Sequence, residues 1–222
     1  MGRGGVGLVR FNDGLWLMPS VIVTFDVYGT LFDWQYSMGA YLGFVGVDRR
    51  RFFEVEYSRV SGVKGFRRYS EILKESLEEC MGSGYSGDVG DGLVLAFAKS
   101  PPFPDTLLGL RELRRRGHRL GVISNTERRL IRITLSGLED VFDWVVTAED
   151  TGHYKPALDA FTRAYSIMGV NMGEVVHVSA YPQYDLEAAS RLGVKTVLVD
   201  RYGYTWKPSV KDTRGIAHTL GE

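Results

Sequence analysis

The sequence predicts an α/β fold in which a parallel β-sheet alternates with helices and is interrupted by one inserted helical segment. Three observations predict it. Short apolar, β-branched runs recur along the chain, stretches with helical period lie between them, and one gap between runs is far too long for a single crossover.

The elements follow in order. Residues 1–17 are glycine-rich and carry no signal-peptide cleavage pattern, so they are expected to form a poorly ordered extension, with Met18 as an alternative start. Val-Ile-Val-Thr-Phe at 21–25 is a continuous apolar run that stops at Asp26, the pattern of a strand buried on both faces. Similar runs at 119–123, 144–147, 175–178 and 196–199 supply the rest of a parallel sheet. Leu107, Leu110 and Leu113 repeat at helical spacing, as do Leu158, Phe161, Tyr165 and Met168. The gap from about 34 to 102 has helical patterns of its own at 52–60 and 69–80, broken by a glycine-rich loop at 82–87. The predicted division is therefore a core of residues 18–33 and 101–222 with a helical cap at 34–100. Pro101, Pro102 and Pro104 mark the return to the core, with Asp105 or Thr106 as the expected N-cap of the next helix.

Composition narrows the function classes. The 222 residues include 27 Lys and Arg against 27 Asp and Glu, a formal net charge of zero. No basic footprint for nucleic acid is present, and Arg49-Arg50-Arg51 and Arg114-Arg115-Arg116 read as solvated helix faces. No window approaches a membrane-spanning helix. Cys80 is the only cysteine, which fits a reducing, cytoplasmic setting. The expected partner is a small-molecule substrate, and a homodimer stays open. The four histidines share no metal-ligand spacing and are expected to be structural or exposed.

Open α/β sheets gather their sites at the carboxyl ends of strands. The predicted ends carry Asp26-Val27-Tyr28-Gly29-Thr30-Leu31, then Ser124-Asn125, then Lys155-Pro156 after the third strand, then Ser179-Ala180-Tyr181-Pro182-Gln183-Tyr184-Asp185. A nucleophilic carboxylate, hydroxyl and amide donors, a cation and a second acid would converge there.

These four motifs, in this order, resemble those of the haloacid dehalogenase superfamily, and the resemblance covers about residues 19–205. It implies a Rossmann-like core with the cap inserted after the first motif, and Asp26 as nucleophile in a hydrolase that passes through a covalent aspartyl intermediate. The segment Asp26 to Asp33 is most similar to the first motif of the L-2-haloacid dehalogenases, which need no metal. By that resemblance Asp185 orients or activates water, and Lys155 holds Asp26 and its developing charge. Thr30 completes the catalytic set. Ser124 and Asn125 donate to Asp26 or to substrate, Tyr28 lines the pocket, and Arg51 is the cap arginine near the halide. A Mg²⁺-dependent phosphatase is the alternative, with Asp26, the Tyr28 carbonyl and Asp185 as metal ligands; a degenerate, non-catalytic binding protein is another. Against the phosphatase pattern, Tyr28 stands where a second Asp is usual and Ala180 where an acid is usual. Against the dehalogenase pattern, Ala180, Pro182 and Phe161 stand where Ser, Asn and Tyr are usual.

Overall fold

The computed structural model describes residues 9–10, 16–17 and 20–221. The expected disorder of residues 1–17 and the alternative start at Met18 lie outside the described residues, apart from an antiparallel pairing of β1 (Val9–Arg10) with β2 (Trp16–Leu17). The chain then runs through β3 (Ile22–Phe25) into four consecutive helices: α1 (Trp34–Phe44), α2 (Arg49–Gly62), α3 (Tyr69–Met81) and α4 (Gly87–Ala98). After α5 (Thr106–Arg115) come β4 (Arg119–Ser124), α6 (Arg128–Thr134), β5 (Trp144–Thr147), α7 (Ala148–Thr151) and α8 (Leu158–Met168). The last part holds β6 (Val175–Ser179), α9 (Glu187–Arg191), β7 (Lys195–Val199), β8 (Ser209–Val210) and α10 (Ile216–Thr219).

The main sheet has six strands in the order β5-β4-β3-β6-β7-β8, every pairing parallel. This is a Rossmann-like α/β core. The apolar runs cause it. Val23, Phe25, Leu120, Val122, Val175 and Val178 are fully buried, because helices cover both faces of the sheet. Burial of each such side chain contributes about 1.5–3 kcal/mol. The chain leaves β3 toward β4 on one side and returns to β6 on the other, so β3 ends at a topological switch point.

Residues 34–98 hold four helices and no strand of the sheet. Their two connections to the core run side by side. Asp33 N–H donates to Pro101 O at 2.8 Å and Phe103 N–H to Leu31 O at 2.9 Å. Glycine-rich sequence hid α4, which starts at Gly87 where a loop was expected; only residues 82–84 form a short 3₁₀ turn. The reason is tertiary: a side chain on Gly92 would collide with the Tyr41 phenol of α1, so glycine lets the two helices meet.

Asp105 corrects another expectation. It occupies the N-cap position of α5, but its side chain caps nothing. It accepts two bonds from the Arg201 guanidinium, at 2.8 and 2.7 Å, and one from Thr213 N–H at 2.8 Å. The Arg201 guanidinium and the Thr213 donors hold its carboxyl far below the usual range against the opposing effect of burial. Strand β8, two residues long after Pro208, was not legible in the sequence.

Candidate active site

The site forms where β3, β4 and β6 end. Asp26 follows β3 directly, and its N–H donates to Val178 O of the neighbouring strand at 3.0 Å. The chain then turns sharply at Gly29, whose φ of +89° suits glycine and whose missing side chain leaves room for the Tyr181 ring. This turn returns Thr30 to Asp26: Thr30 Oγ1 donates to Asp26 Oδ2 at 2.7 Å and accepts from Ala180 N–H at 2.9 Å. Arg201 donates to Thr30 O at 3.1 Å, tying the same turn to Asp105.

Lys155 brings the carboxylates together. Its Nζ lies 2.8 Å from Asp26 Oδ1, 2.6 Å from Asp185 Oδ1 and 2.9 Å from Ile123 O. All three ammonium donors are thereby used. Lys155 is 2% exposed and Asp185 1%. Such burial disfavours charge, and the compensation here is mutual. The two carboxylates raise the lysine against the pull of its own burial, so the ammonium persists. Lys155 and His177 hold Asp185 below the usual carboxylate range although burial acts the other way. Asp26 goes up, because its burial outweighs Lys155 and Asp185 adds repulsion.

Two side chains that sequence reasoning missed complete this network. Ser179 Oγ donates to Asp185 Oδ2 at 2.9 Å, and His177 Nε2 stands 3.2 Å from Asp185 Oδ1. The ionised carboxylate can only accept, which puts a proton on Nε2, while Nδ1 lies 2.9 Å from Thr24 Oγ1. The signal was available in strand period. Thr24 and Asp26 alternate on β3, His177 and Ser179 alternate on β6, and Thr24 pairs with His177 in register. Asp185 itself sits in a wide turn at Pro182–Leu186 after β6.

The structure brings Asp26, Thr30, Lys155 and Asp185 together and places other expected residues differently. Asn125 does not reach Asp26. Its amide clamps the Lys155 backbone, donating to Lys155 O at 2.9 Å and accepting from Lys155 N–H at 2.7 Å. Ser124 Oγ is buried without a hydrogen-bond partner, and it too makes no bond to Asp26. Tyr28 does line the pocket, but its phenol meets Thr134 Oγ1 at 2.6 Å while its ring stacks on Phe97. Burial pushes that phenol far above its ordinary value. Arg51 is exposed and does not line the pocket. Helix α2 buries Phe52, Glu56 and Val60, a period-four stripe, and Arg51 lies outside it. The inward position belongs to Glu56.

The residues offered for Mg²⁺ fit it poorly. Each carboxylate oxygen of Asp26 and Asp185 already has a donor in Lys155, Thr30, His177 or Ser179, and a buried ammonium occupies the space between the two carboxylates. Mg²⁺ requires near-octahedral oxygen ligation. Among the described residues, no group of three or more His, Cys, Asp or Glu side chains is placed to hold a metal ion. No described helix is long and apolar enough to cross a membrane.

The pocket above Asp26 has a volume of about 280 Å³. At about 30 Å³ per water molecule, it holds a small organic compound. Its core side carries Asp26, Lys155 and Asp185; its cap side is aromatic, with Trp34, Phe53, Tyr57 and Tyr69 around Glu56. The halves touch: Trp34 Nε1 donates to Tyr181 Oη at 3.1 Å, and Ser70 donates to the Glu127 carboxylate.

A family model described as haloacid dehalogenase-like hydrolase matches residues 22–193. The chain is 27% identical over 197 residues to haloacetate dehalogenase H-2 of Moraxella sp. (strain B), covering 83% of this chain and 87% of that protein. It is 27% identical over 192 residues to (S)-2-haloacid dehalogenase 4A of Burkholderia cepacia, covering 81% and 82%. A glyceraldehyde 3-phosphate phosphatase of Methanothermobacter thermautotrophicus is 35% identical over 106 residues, 47% of each chain. In fold, the chain matches the L-2-haloacid dehalogenase RSc1362 with a TM-score of 0.81 at 22% identity, covering 91% of this chain and 99% of that one. It matches the Xanthobacter autotrophicus L-2-haloacid dehalogenase with chloropropionic acid covalently bound at 0.75 and 20%, covering 90% and 98%.

Proposed function

The chain belongs to the haloacid dehalogenase-like hydrolase family, and within it we propose that Asp26 is the covalent nucleophile of a metal-independent hydrolase acting on carbon–halogen bonds, of the 2-haloacid dehalogenase type. The observation that carries this reading is the buried Asp26–Lys155–Asp185 assembly, in which the Lys155 ammonium holds both carboxylates and fills the space between them. The covalent adduct in the Xanthobacter autotrophicus relative supports it.

In this reading an Asp26 oxygen attacks the carbon bearing the halogen. The carbon–halogen bond breaks, halide leaves with the bonding pair, and an ester forms. Water then attacks the ester carbonyl of Asp26. Asp185, kept ionised beside Lys155 and His177, orients that water and takes its proton. The alcohol departs and Asp26 is regenerated, so the sum is R–X + H₂O → R–OH + H⁺ + X⁻. Lys155 and Thr30 donate to Asp26 throughout, positioning the nucleophile and stabilising charge that develops on it. The phosphatase alternative draws on the relative aligned over 47% of the chain, but it requires a Mg²⁺ that the donor set fits poorly.

The test is halide release from a panel of small organohalides, 2-chloropropionate among them, and phosphate release from p-nitrophenyl phosphate, each with Mg²⁺ or EDTA. Halide release that survives EDTA and vanishes in Asp26→Asn is the expected result. One turnover in ¹⁸O-water should label Asp26 and leave the first product unlabelled. Mg²⁺-dependent phosphate release would replace this reading with the phosphatase, and silence on both panels would favour a non-catalytic protein.

A further inference from the structure

The pocket is larger than the reacting part of a haloacid requires. A cavity of about 150 Å³ with apolar walls holds benzene, and 2-chloropropionate has as few non-hydrogen atoms as benzene. With about 280 Å³ in this pocket, a haloacid head fills roughly half of it. The other half is left for a second group of similar size.

The two sides differ in chemistry. The core side holds Asp26, Asn125, Lys155 and Asp185, and Lys155 is the only cation among the lining residues. Ser124 precedes Asn125 at the end of β4, and its buried hydroxyl finds no hydrogen-bond partner among the described residues. A buried hydroxyl without a partner is costly, so an acceptor that reaches it is favoured. That leaves the core side a free donor for an acid head. The cap side has no cation, since Arg49 and Arg51 are exposed and do not line it. Its walls are the rings of Trp34, Phe53, Tyr57, Tyr69 and Phe97, with Val60 of α2. These rings hold one another in place. Trp34 stands edge-on to Phe53 at 5.1 Å and to Phe97 at 6.2 Å between centroids, and Tyr69 lies 4.9 Å from Phe97. Walls already ordered cost an incoming ligand little entropy. A ring placed among them gains from stacked or edge contacts beyond the apolar area it buries.

We propose that the cap side of this pocket is a subsite for a flat aromatic group, so that the substrate class is a 2-haloacid bearing an aryl ring beyond its halogenated carbon. The position of the acid head rests on the reading of Asp26 as nucleophile; the aryl subsite does not.

Glu56 is the one carboxyl on this side. Burial pushes it up to about 7, with the Tyr69 bond acting in the other direction, so at pH 6 it is mostly uncharged. The phenols that face it, Tyr69, Tyr154 and Tyr184, are raised by their own burial and stay protonated. Below neutral pH the cap side is therefore suited to an apolar ring.

The experiment is calorimetric titration of the full chain at pH 6 with propionate, 3-phenylpropionate and 3-cyclohexylpropionate. None carries a leaving group, so binding is read whether or not Asp26 reacts. The phenyl acid should bind at least about tenfold more tightly than propionate, equivalent to about 1.4 kcal/mol, and more tightly than the cyclohexyl acid, which is as apolar but not flat. Val60→Trp fills the cap side and should erase the preference over propionate. If that variant does not fold, the native chain still decides the matter: kcat/KM for halide release should be at least about tenfold higher for 2-chloro-3-phenylpropionate than for 2-chloropropionate. No binding of the phenyl acid, equal binding of propionate or of the cyclohexyl acid, a preference that survives in folded Val60→Trp, or a higher kcat/KM for 2-chloropropionate would each overturn the proposal. The binding preference with no halide release from either chloroacid would support the aryl subsite and remove the reading of Asp26 as nucleophile.

Discussion

The two halves of the pocket treat buried charge in opposite ways. On the core side each charge is answered: Lys155 reaches Asp26, Asp185 and a carbonyl, while Ser179 and His177 complete Asp185. On the cap side Glu56 has only the Tyr69 phenol. Lys155 and His177 keep Asp185 below the usual carboxylate range against its burial. With one phenol as partner, the buried Glu56 carboxyl is pushed up to about 7. The difference teaches that burial alone does not set a carboxyl's protonation: its partners keep Asp185 below the usual range, while Glu56, with one phenol, goes up.

The largest expected effect is on the core side. Asp26→Asn keeps the shape and removes the proposed nucleophile, so turnover should fall by at least about 10⁴-fold in a halide-release assay. A variant that keeps most activity would remove Asp26 from the chemistry. Lys155→Met should come next. It leaves two buried carboxylates without their cation, and chemical denaturation should show a loss of about 3–5 kcal/mol. Unchanged stability would mean that the core network is not compensated as described.

Glu56 predicts a pH dependence of the opposite sign to an answered carboxylate. Its folded-state value, up to about 7, lies above the ordinary one, so the folded chain binds the extra proton and stability should fall as pH rises from about 4.5 to 7. The shift corresponds to a change on the order of 3 kcal/mol. Glu56→Gln should therefore raise the melting temperature above pH 7 and change it little below pH 5. Asp105, held down by Arg201, runs the other way: its contribution is present above the ordinary carboxylate value and is lost as pH falls below it. Asp105→Asn should flatten that acid limb in a melting series. The smallest effect falls on His177→Phe, which takes one donor from Asp185 and the partner from Thr24. It should cost about 1–3 kcal/mol by denaturation with the fold intact by circular dichroism.

Legibility followed the same division. Asp26, Thr30, Lys155 and Asp185 could be named from sequence because each sits beside a strand end or a turn with its own local signature. His177 and Ser179 were readable in principle, from the period of β6 and its register with β3. Arg51 failed because a run of three arginines does not say which residue of α2 faces inward; packing against α3 chose the stripe of Phe52, Glu56 and Val60. Asn125 lies near the site but spends its amide on the Lys155 backbone, and the buried Ser124 hydroxyl makes no bond to Asp26.

The sequence by itself determined the parallel sheet, the inserted helices and a carboxylate, Asp26, at the first strand end, since apolar period and strand-end position are local and survive without any partner. Only the tertiary structure decided which donors Lys155 spends, where the Asn125 amide points and that Glu56 faces the pocket. Those depend on burial and on atoms far apart in the chain, Lys155 and Asp26 being 129 positions apart, and no local pattern encodes which of several polar groups a buried charge will take.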